Sequence, residues 1–272
     1  DRVGAAVKNN EGEWVLLNGN QTALMFVYYL ITRWKELGKI NGKEYIVKTI
    51  VTTETIKTIA ERNGVEMYDV YTGFKWIANV MRENEGKKNY IGGGEESYGF
   101  LCEDFVRDKD AVSACVILAE IAAWAKDQGL SLYQLLQKIY VEYGFSKEKG
   151  ISVVKKGKSG AEEIEAMMKK FRENPLTEIA GSKVTYFYDY STLKGKDYAE
   201  NETVTLDMPT TSNVLQYFTE DNTKVSIRPS GTEPKIKFYC EVHSKVKSID
   251  ELPEAEKAAE EKINQIKASL GI

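Results

Sequence analysis

An α/β domain followed by an α+β domain is the fold that this sequence predicts, on three observations. Between residues 45 and 92, β-branched runs alternate with runs of helical spacing, the order that builds a mainly parallel sheet with helices packed on it. Around residues 146–160 the sequence turns polar and glycine-containing, which places a boundary near residue 146. Beyond it, short strand-like runs outnumber helices, as in an antiparallel sheet carrying a few helices.

Taken in order, residues 3–7 and 13–17 are apolar runs around the polar, glycine-containing loop 8–12, which suits a hairpin. The opening DRVGAAV reads as entry into a buried strand, with no initiator methionine, so a truncated chain is expected. Gln21 to Leu37 carries Leu24, Val27, Tyr28, Ile31 and Trp34 at near-helical spacing, with Gly38 at the C-cap position. Strand 45–51, helix 53–63, strand 66–70, helix 74–84 and strand 89–92 follow, then helices 111–128 and 131–142. The second half reads as strand 151–155, helix 161–173, strands 183–190, 213–218, 223–227 and 236–242, and a charged helix 253–269.

Composition excludes several functions. Thirty-seven Lys and Arg against forty-one Asp and Glu leave a net charge of −4, which provides no general field for nucleic acid, so any anion site is local. No apolar run approaches about 18 residues and no signal peptide opens the chain, so a soluble cytoplasmic protein is expected, with no membrane partner. Cys102, Cys115 and Cys240 lack CxxC spacing, which argues against a disulfide framework or a zinc site; Cys115, in an apolar helical run, reads as a small core residue. The single histidine, His243, has no second ligand nearby and reads as structural.

Three segments carry candidate chemistry. RPSGTEPK (228–235) lies between two strands: Arg228 offers a planar fork for two phosphate oxygens, Ser230 and Thr232 offer hydroxyls, and Gly231 allows close approach of backbone N–H groups. A polar hairpin turn is the plainer alternative. GGGEESYGF (92–100) gives backbone freedom where a ligand or another loop comes close, and Glu95 and Ser97, as alternate residues of an extended segment, would project to one side as acceptor and donor for vicinal sugar hydroxyls. It lacks the G-x-G-x-x-G spacing of a dinucleotide loop. TGFKWI (72–77) and RDKDA (107–111) place Lys75 and Lys109 at helix starts, able to hold a phosphate or, if burial and neighbouring cations lower the pKa, to handle a proton; Asp110 suits an N-cap.

Together these segments resemble the α-D-phosphohexomutases. GEES (94–97) is similar to their sugar-recognition loop, RPSGTEPK to their C-terminal phosphate loop, and Asp1-Arg2 to the end of their D-x-D-x-D-R metal loop. NGNQTA, TGFKWI, EESYGF and VRDKDA most resemble the group containing bacterial phosphoglucomutases and phosphopentomutase-like enzymes. The resemblance implies that residues 1–19 end a second domain, 20–145 form a third and 146–272 a fourth. It implies interconversion of hexose 1-phosphate and hexose 6-phosphate through a phosphoserine and a bisphosphorylated sugar such as glucose 1,6-bisphosphate, with Mg²⁺. Glu95 and Ser97 would grip the sugar, Arg228, Ser230, Gly231 and Thr232 the unreactive phosphate, and Lys109, less so Lys75, would act near the reacting centre. The T-A-S-H-N-P serine loop has no counterpart here, and Asp1 is the last of three metal-loop aspartates, one carboxylate being too few for Mg²⁺. The chain alone is therefore expected to bind sugar phosphate without turning it over, its partners being that substrate and the N-terminal domains. Phosphomannomutase, phosphopentomutase, amino-sugar phosphate mutase and a non-catalytic sugar-phosphate binder remain as alternatives.

Overall fold

The computed structural model describes residues 1–155, 157–231 and 233–272, the side chains of residues 157 and 158 excepted. The chain divides into two compact units: Asp1–Phe145 with Lys245–Leu252, and Ser146–Ser244 with Pro253–Ile272. The predicted fourth domain is thus not one continuous stretch, since residues 245–252 return to the first unit.

In the first unit, β1 (Ala5–Lys8) and β2 (Trp14–Leu17) pair antiparallel as a two-stranded sheet of their own. The expected buried strand 3–7 is shorter and largely exposed. Helix α1 (Gly19–Glu36) starts from a capping box in which Asn18 accepts from the Gln21 N–H while the Gln21 side chain accepts from Asn18. Its first three turns are buried on all sides, because α1 packs against a sheet and other helices at once.

Then follow β3 (Glu44–Thr49), α2 (Thr55–Arg62), β4 (Glu66–Val70), α3 (Phe74–Asn84), β5 (Asn89–Gly94), β6 (Phe100–Cys102), α4 (Ala111–Asp127) and α5 (Leu132–Tyr143). The sheet order is β4-β3-β5-β6, parallel except for β6, which turns back antiparallel on β5. Phe74, Ile77, Val80 and Met81 of α3 pack on Tyr45, Val47, Val70 and Tyr90 of the sheet. Each such side chain contributes about 1.5–3 kcal/mol through burial. Gly93 of β5 allows a close approach by the neighbouring strand, since a Cβ there would stand 2.4 Å from the Val47 carbonyl oxygen.

The second unit holds β7 (Phe145–Val154), α6 (Gly157–Glu173), β8 (Glu178–Ile179), β9 (Ser182–Asp189), β10 (Lys194–Asp197), β11 (Glu202–Thr205), β12 (Leu215–Thr219), β13 (Lys224–Pro229), β14 (Lys235–Ser244) and α7 (Leu252–Leu270). The sheet order is β11-β10-β9-β12-β13-β14-β7, with β8 on β9. Residues 146–154, expected as linker and late strand, are the edge strand β7; its Lys147 and Lys149 pair with Glu256 and Glu260 of α7, so polar sequence marks an edge here. Lys224 to Ile227 of β13 are all buried, β14 buries Ile236, Phe238 and Cys240 in alternation, and Ile164, Met168 and Phe171 of α6 and Ala259, Ile263 and Ile266 of α7 are buried as well. Phe171 meets the Phe238 ring edge-on, and its carbonyl accepts from the Tyr217 hydroxyl at 2.9 Å. No described helix is long and apolar enough to cross a membrane.

Candidate functional site

The sugar-loop candidates sit in the turn between β5 and β6. Glu95, Glu96, Ser97, Tyr98 and Gly99 form a tight reversal in which the Glu95 N–H donates to the Gly99 carbonyl at 2.8 Å and Tyr98 takes φ 72°. The segment is therefore not extended as the sequence suggested: the antiparallel return of β6 needs a hairpin turn. The two carboxylates are separated by their partners. Glu96 accepts from the Thr49 hydroxyl at 3.1 Å, whereas Glu95, buried, accepts from the Gly73 N–H at 2.9 Å. A carboxylate holding one N–H retains lone pairs for further donors. Ser97 is half-buried in the same turn.

This turn rests on the start of α1. A Cβ built on Gly19 would lie 2.1 Å from the Glu96 carbonyl oxygen and 2.7 Å from the Tyr98 nitrogen, so the helix reaches the turn only because residue 19 has no side chain. Gly19→Ala is expected to cost about 1–3 kcal/mol, as overpacking does. Urea unfolding checks it, and unchanged stability would show that the contact is dispensable.

Lys109 arrives from the loop that follows β6. Its Nζ lies 3.2 Å from Asp1 and 3.3 Å from Asp108, and stands 5.9 Å from the centre of the Phe74 ring. A Cβ on Gly99 would be 2.8 Å from the Lys109 stem and 3.0 Å from a Glu95 carboxylate oxygen, so both side chains border the same glycine. The structure thus joins Asp1, Gly73, Glu95 and Lys109. Lys75 is not among them: exposed, with its Nζ over the Trp76 ring at 5.0 Å, it lines a separate cavity with Arg82 and Arg107. Arg2 is exposed beside Asp1, at 4.0 Å.

Asp1 does not fit a metal site within this chain. Its carboxylate is engaged by Lys109, and among the described residues no three His, Cys, Asp or Glu side chains converge. No chemical step is assigned to a metal here.

In the second unit, RPSGTEPK lies where β13 passes into its antiparallel partner β14, the placement of the plainer hairpin reading. The Ser230 N–H donates to the Lys235 carbonyl at 2.8 Å, and the Ser230 hydroxyl accepts from the Glu233 N–H at 3.3 Å. Hydrogen bonding from Lys235, then its charge, holds the Glu233 carboxyl below its ordinary range, so the loop's own acid is neutralised in place. The space before Gly231 is open, since a Cβ there would meet nothing within 4 Å. Thr232 lies outside the described residues.

Lys237 is the residue that sequence reasoning missed. It is the direct cross-strand partner of Arg228, and neither cation has an ion pair among the described residues. Like charges set opposite on a sheet repel unless an anion lies between them. The signal was available in KIK (235–237), whose alternation puts Lys237 on the face of Arg228 once the two strands are paired.

The phosphoglucomutase/phosphomannomutase family is matched twice, by its alpha/beta/alpha domain III over residues 18–143 and by its C-terminal domain over residues 152–259. The chain belongs to the alpha-D-phosphohexomutase family and corresponds to its C-terminal portion. It is 37% identical over 239 residues to a phosphoglucomutase of Staphylococcus aureus MRSA252, covering 88% of this chain and 42% of the relative. A phosphoglucomutase of Staphylococcus haemolyticus is 33% identical over 243 residues, covering 89% of this chain and 43% of the relative. The chain thus spans less than half the length of the curated relatives it matches. Among solved structures, a putative phosphomannomutase of Thermus thermophilus superposes with a TM-score of 0.57 at 19% identity, covering 95% of this chain and 44% of that one. The phosphoglucomutase parafusin of Paramecium gives 0.57 at 16%, covering 98% and 44%. At these identities the likeness concerns the fold. Family membership implies a metal cofactor and a bisphosphorylated intermediate in general terms.

Proposed function

We propose that this chain supplies the sugar-gripping and phosphate-clamping part of a phosphoglucomutase-type enzyme that interconverts hexose 1-phosphate and hexose 6-phosphate. The observation that carries the reading is the convergence of Glu95 and Lys109 on Gly99, at a turn held by α1 and by the Gly73 N–H. Phosphoryl transfer asks a protein mainly for positioning and charge neutralisation. Glu95 and Ser97 accept and donate to hydroxyls in the middle of the ring, a grip that survives exchange of its two ends. Arg228, Ser230, Gly231 and Thr232, with Lys237 added, hold the phosphate that does not react, and Lys109 acts at the one that does. Lys75 is given no step. The complete protein would supply the phosphoserine, and Mg²⁺ held by a loop to which Asp1 contributes; glucose 1,6-bisphosphate is the expected intermediate.

Calorimetric titration of the chain with glucose 1-phosphate and glucose 1,6-bisphosphate tests this reading. Arg228→Ala is expected to weaken binding by about 1.5–3 kcal/mol, the scale of a lost hydrogen bond to a charged group. Folded protein that binds neither ligand at millimolar concentration, or an Arg228→Ala variant that binds as tightly as wild type, sinks the clamp assignment.

A further inference from the structure

Among the described residues, Tyr98 is the one aromatic residue with a positive φ. A bulky side chain is a rare occupant of this backbone region, because its Cβ crowds the main chain. Asn201 and Asn222 enter the region readily through local bonds of their short amides, and Leu193, the other large apolar residue there, is half-buried. Tyr98 is 40% exposed.

The surrounding backbone enforces the conformation. The Glu95 N–H donates to the Gly99 carbonyl and closes the reversal, the Val3 N–H donates to the Tyr98 carbonyl at 3.1 Å, and β6 returns against β5 directly afterwards. On another side, the start of α1 comes so close that a Cβ on Gly19 would stand 2.7 Å from the Tyr98 nitrogen. Glycine meets such demands without strain, as Gly73 does at φ 110°. The tyrosine is therefore not what the turn asks for. Nor do contacts within the unit account for it: among the described residues its hydroxyl has no hydrogen-bond partner and its ring meets no other ring. Strain of this kind, held in place by its surroundings, belongs to functional sites.

The turn already carries a carboxylate and a hydroxyl for the rim of a sugar, in Glu95 and Ser97, and nothing for its apolar faces. A pyranose sets hydroxyls around its edge and axial C–H groups on its faces, and the electron-rich face of an aromatic ring suits those C–H groups. Ligand sites pair a few polar groups with apolar and aromatic walls in the same way. In the gluco configuration both faces carry axial C–H groups, so an aromatic contact survives the exchange of the two ends. In the manno configuration an axial 2-hydroxyl interrupts one face.

We propose that Tyr98 is a specificity-determining residue whose ring covers the C–H face of a gluco-configured hexose held at its rim by Glu95 and Ser97. The proposal rests on the reading of this turn as the sugar grip.

Two measurements on Tyr98→Gly in the 272-residue chain test it. Urea unfolding reads the strain: the midpoint is expected to stay at the wild-type value or rise, since relief of the positive φ offsets the greater freedom of glycine in the unfolded chain. Calorimetric titration reads the site. Affinity for glucose 1-phosphate is expected to fall about three- to tenfold, the scale of an aromatic contact, whereas Tyr98→Phe stays within about twofold of wild type because the ring makes the contact. The loss for mannose 1-phosphate is expected to be smaller. A Tyr98→Gly chain that binds glucose 1-phosphate as tightly as wild type overturns the proposal, as does an equal loss for the two sugars; both results leave Glu95 and Ser97 as the grip. Affinity lost together with a lowered midpoint also overturns it, because the tyrosine then serves the fold. A wild-type chain that binds neither sugar phosphate takes the proposed function down with it.

Discussion

Glu241→Ala is expected to destabilise the second unit by about 3–5 kcal/mol, the scale for breaking a buried ion pair from one side. Lys224 and Glu241 face each other across β13 and β14, 2% and 3% exposed in their side chains, with 2.9 Å between charges; His243, two residues along β14, is 2.7 Å from the other Glu241 oxygen. Removing the carboxylate takes away the charge that lies 2.9 Å from the Lys224 ammonium and 2.7 Å from the His243 ring. Replacing the ion pair together, with Lys224→Met and Glu241→Leu, is expected to recover most of the loss, because well-packed apolar groups avoid the desolvation cost.

The same cluster fixes a pH window. Burial works to raise the Glu241 carboxyl, but the Lys224 charge and His243 outweigh it and hold the group well below its ordinary value of 4.5. Its contribution is present above that value and is lost as pH falls through the depressed one. Burial works to lower the His243 imidazole, but Glu241 outweighs it and raises the group above 6.5, with Glu148 adding to the effect and Lys224 opposing it. That contribution is complete below its ordinary value and is lost as pH rises through the raised one. The gap between wild type and Glu241→Ala in urea unfolding is therefore widest between the two ordinary values and narrows on either side. A gap independent of pH would show that the charges are not what the pair contributes.

How much of this was legible in the sequence follows from what each segment packs against. Strand β4 and helix α3 fall where periodicity put them, because each meets one sheet or helix within its own unit and shows a single face. Strands β10 and β11, KGKD and ETVT, carry no apolar alternation because they close the edge of a sheet, and β6 is three residues long. The turn at 95–99 was found by its residue types, but its shape depends on β6 returning against β5. Gly19 gave no sign of its role, since the Glu96 backbone it accommodates is 77 positions away. Helix α4 misled in the opposite direction. Its apolar run suggested a core position for Cys115, but Cys115 is exposed together with Val112 and Val116.

Lys109 carries the other large effect. In the complete protein, Lys109→Met is expected to lower kcat by about 10²–10⁴, the range for a positioned acid or base. The argument is one of restraint. The loop bearing Lys109 is pinned immediately after it, where the Asp110 N–H donates to the Phe100 carbonyl at 3.0 Å and the Asp110 carboxylate caps α4. Its stem packs against Gly99, its Nζ meets Asp1 and Asp108, and its side chain is 15% exposed. A flexible four-carbon stem held at both ends loses little freedom when substrate arrives, which is where pre-positioning lowers a barrier. The substitution also separates two roles. If Lys109 handles a proton, kcat falls, KM stays within a few fold, and Lys109→Arg fails to restore the rate, because a guanidinium does not give up its proton near neutral pH. If it holds a phosphate as a charge, Lys109→Arg recovers most of the activity and the loss in Lys109→Met appears in KM as well. Turnover unchanged in Lys109→Met would remove this lysine from the reacting centre and leave Glu95 as the one charged side chain assigned to substrate in that turn.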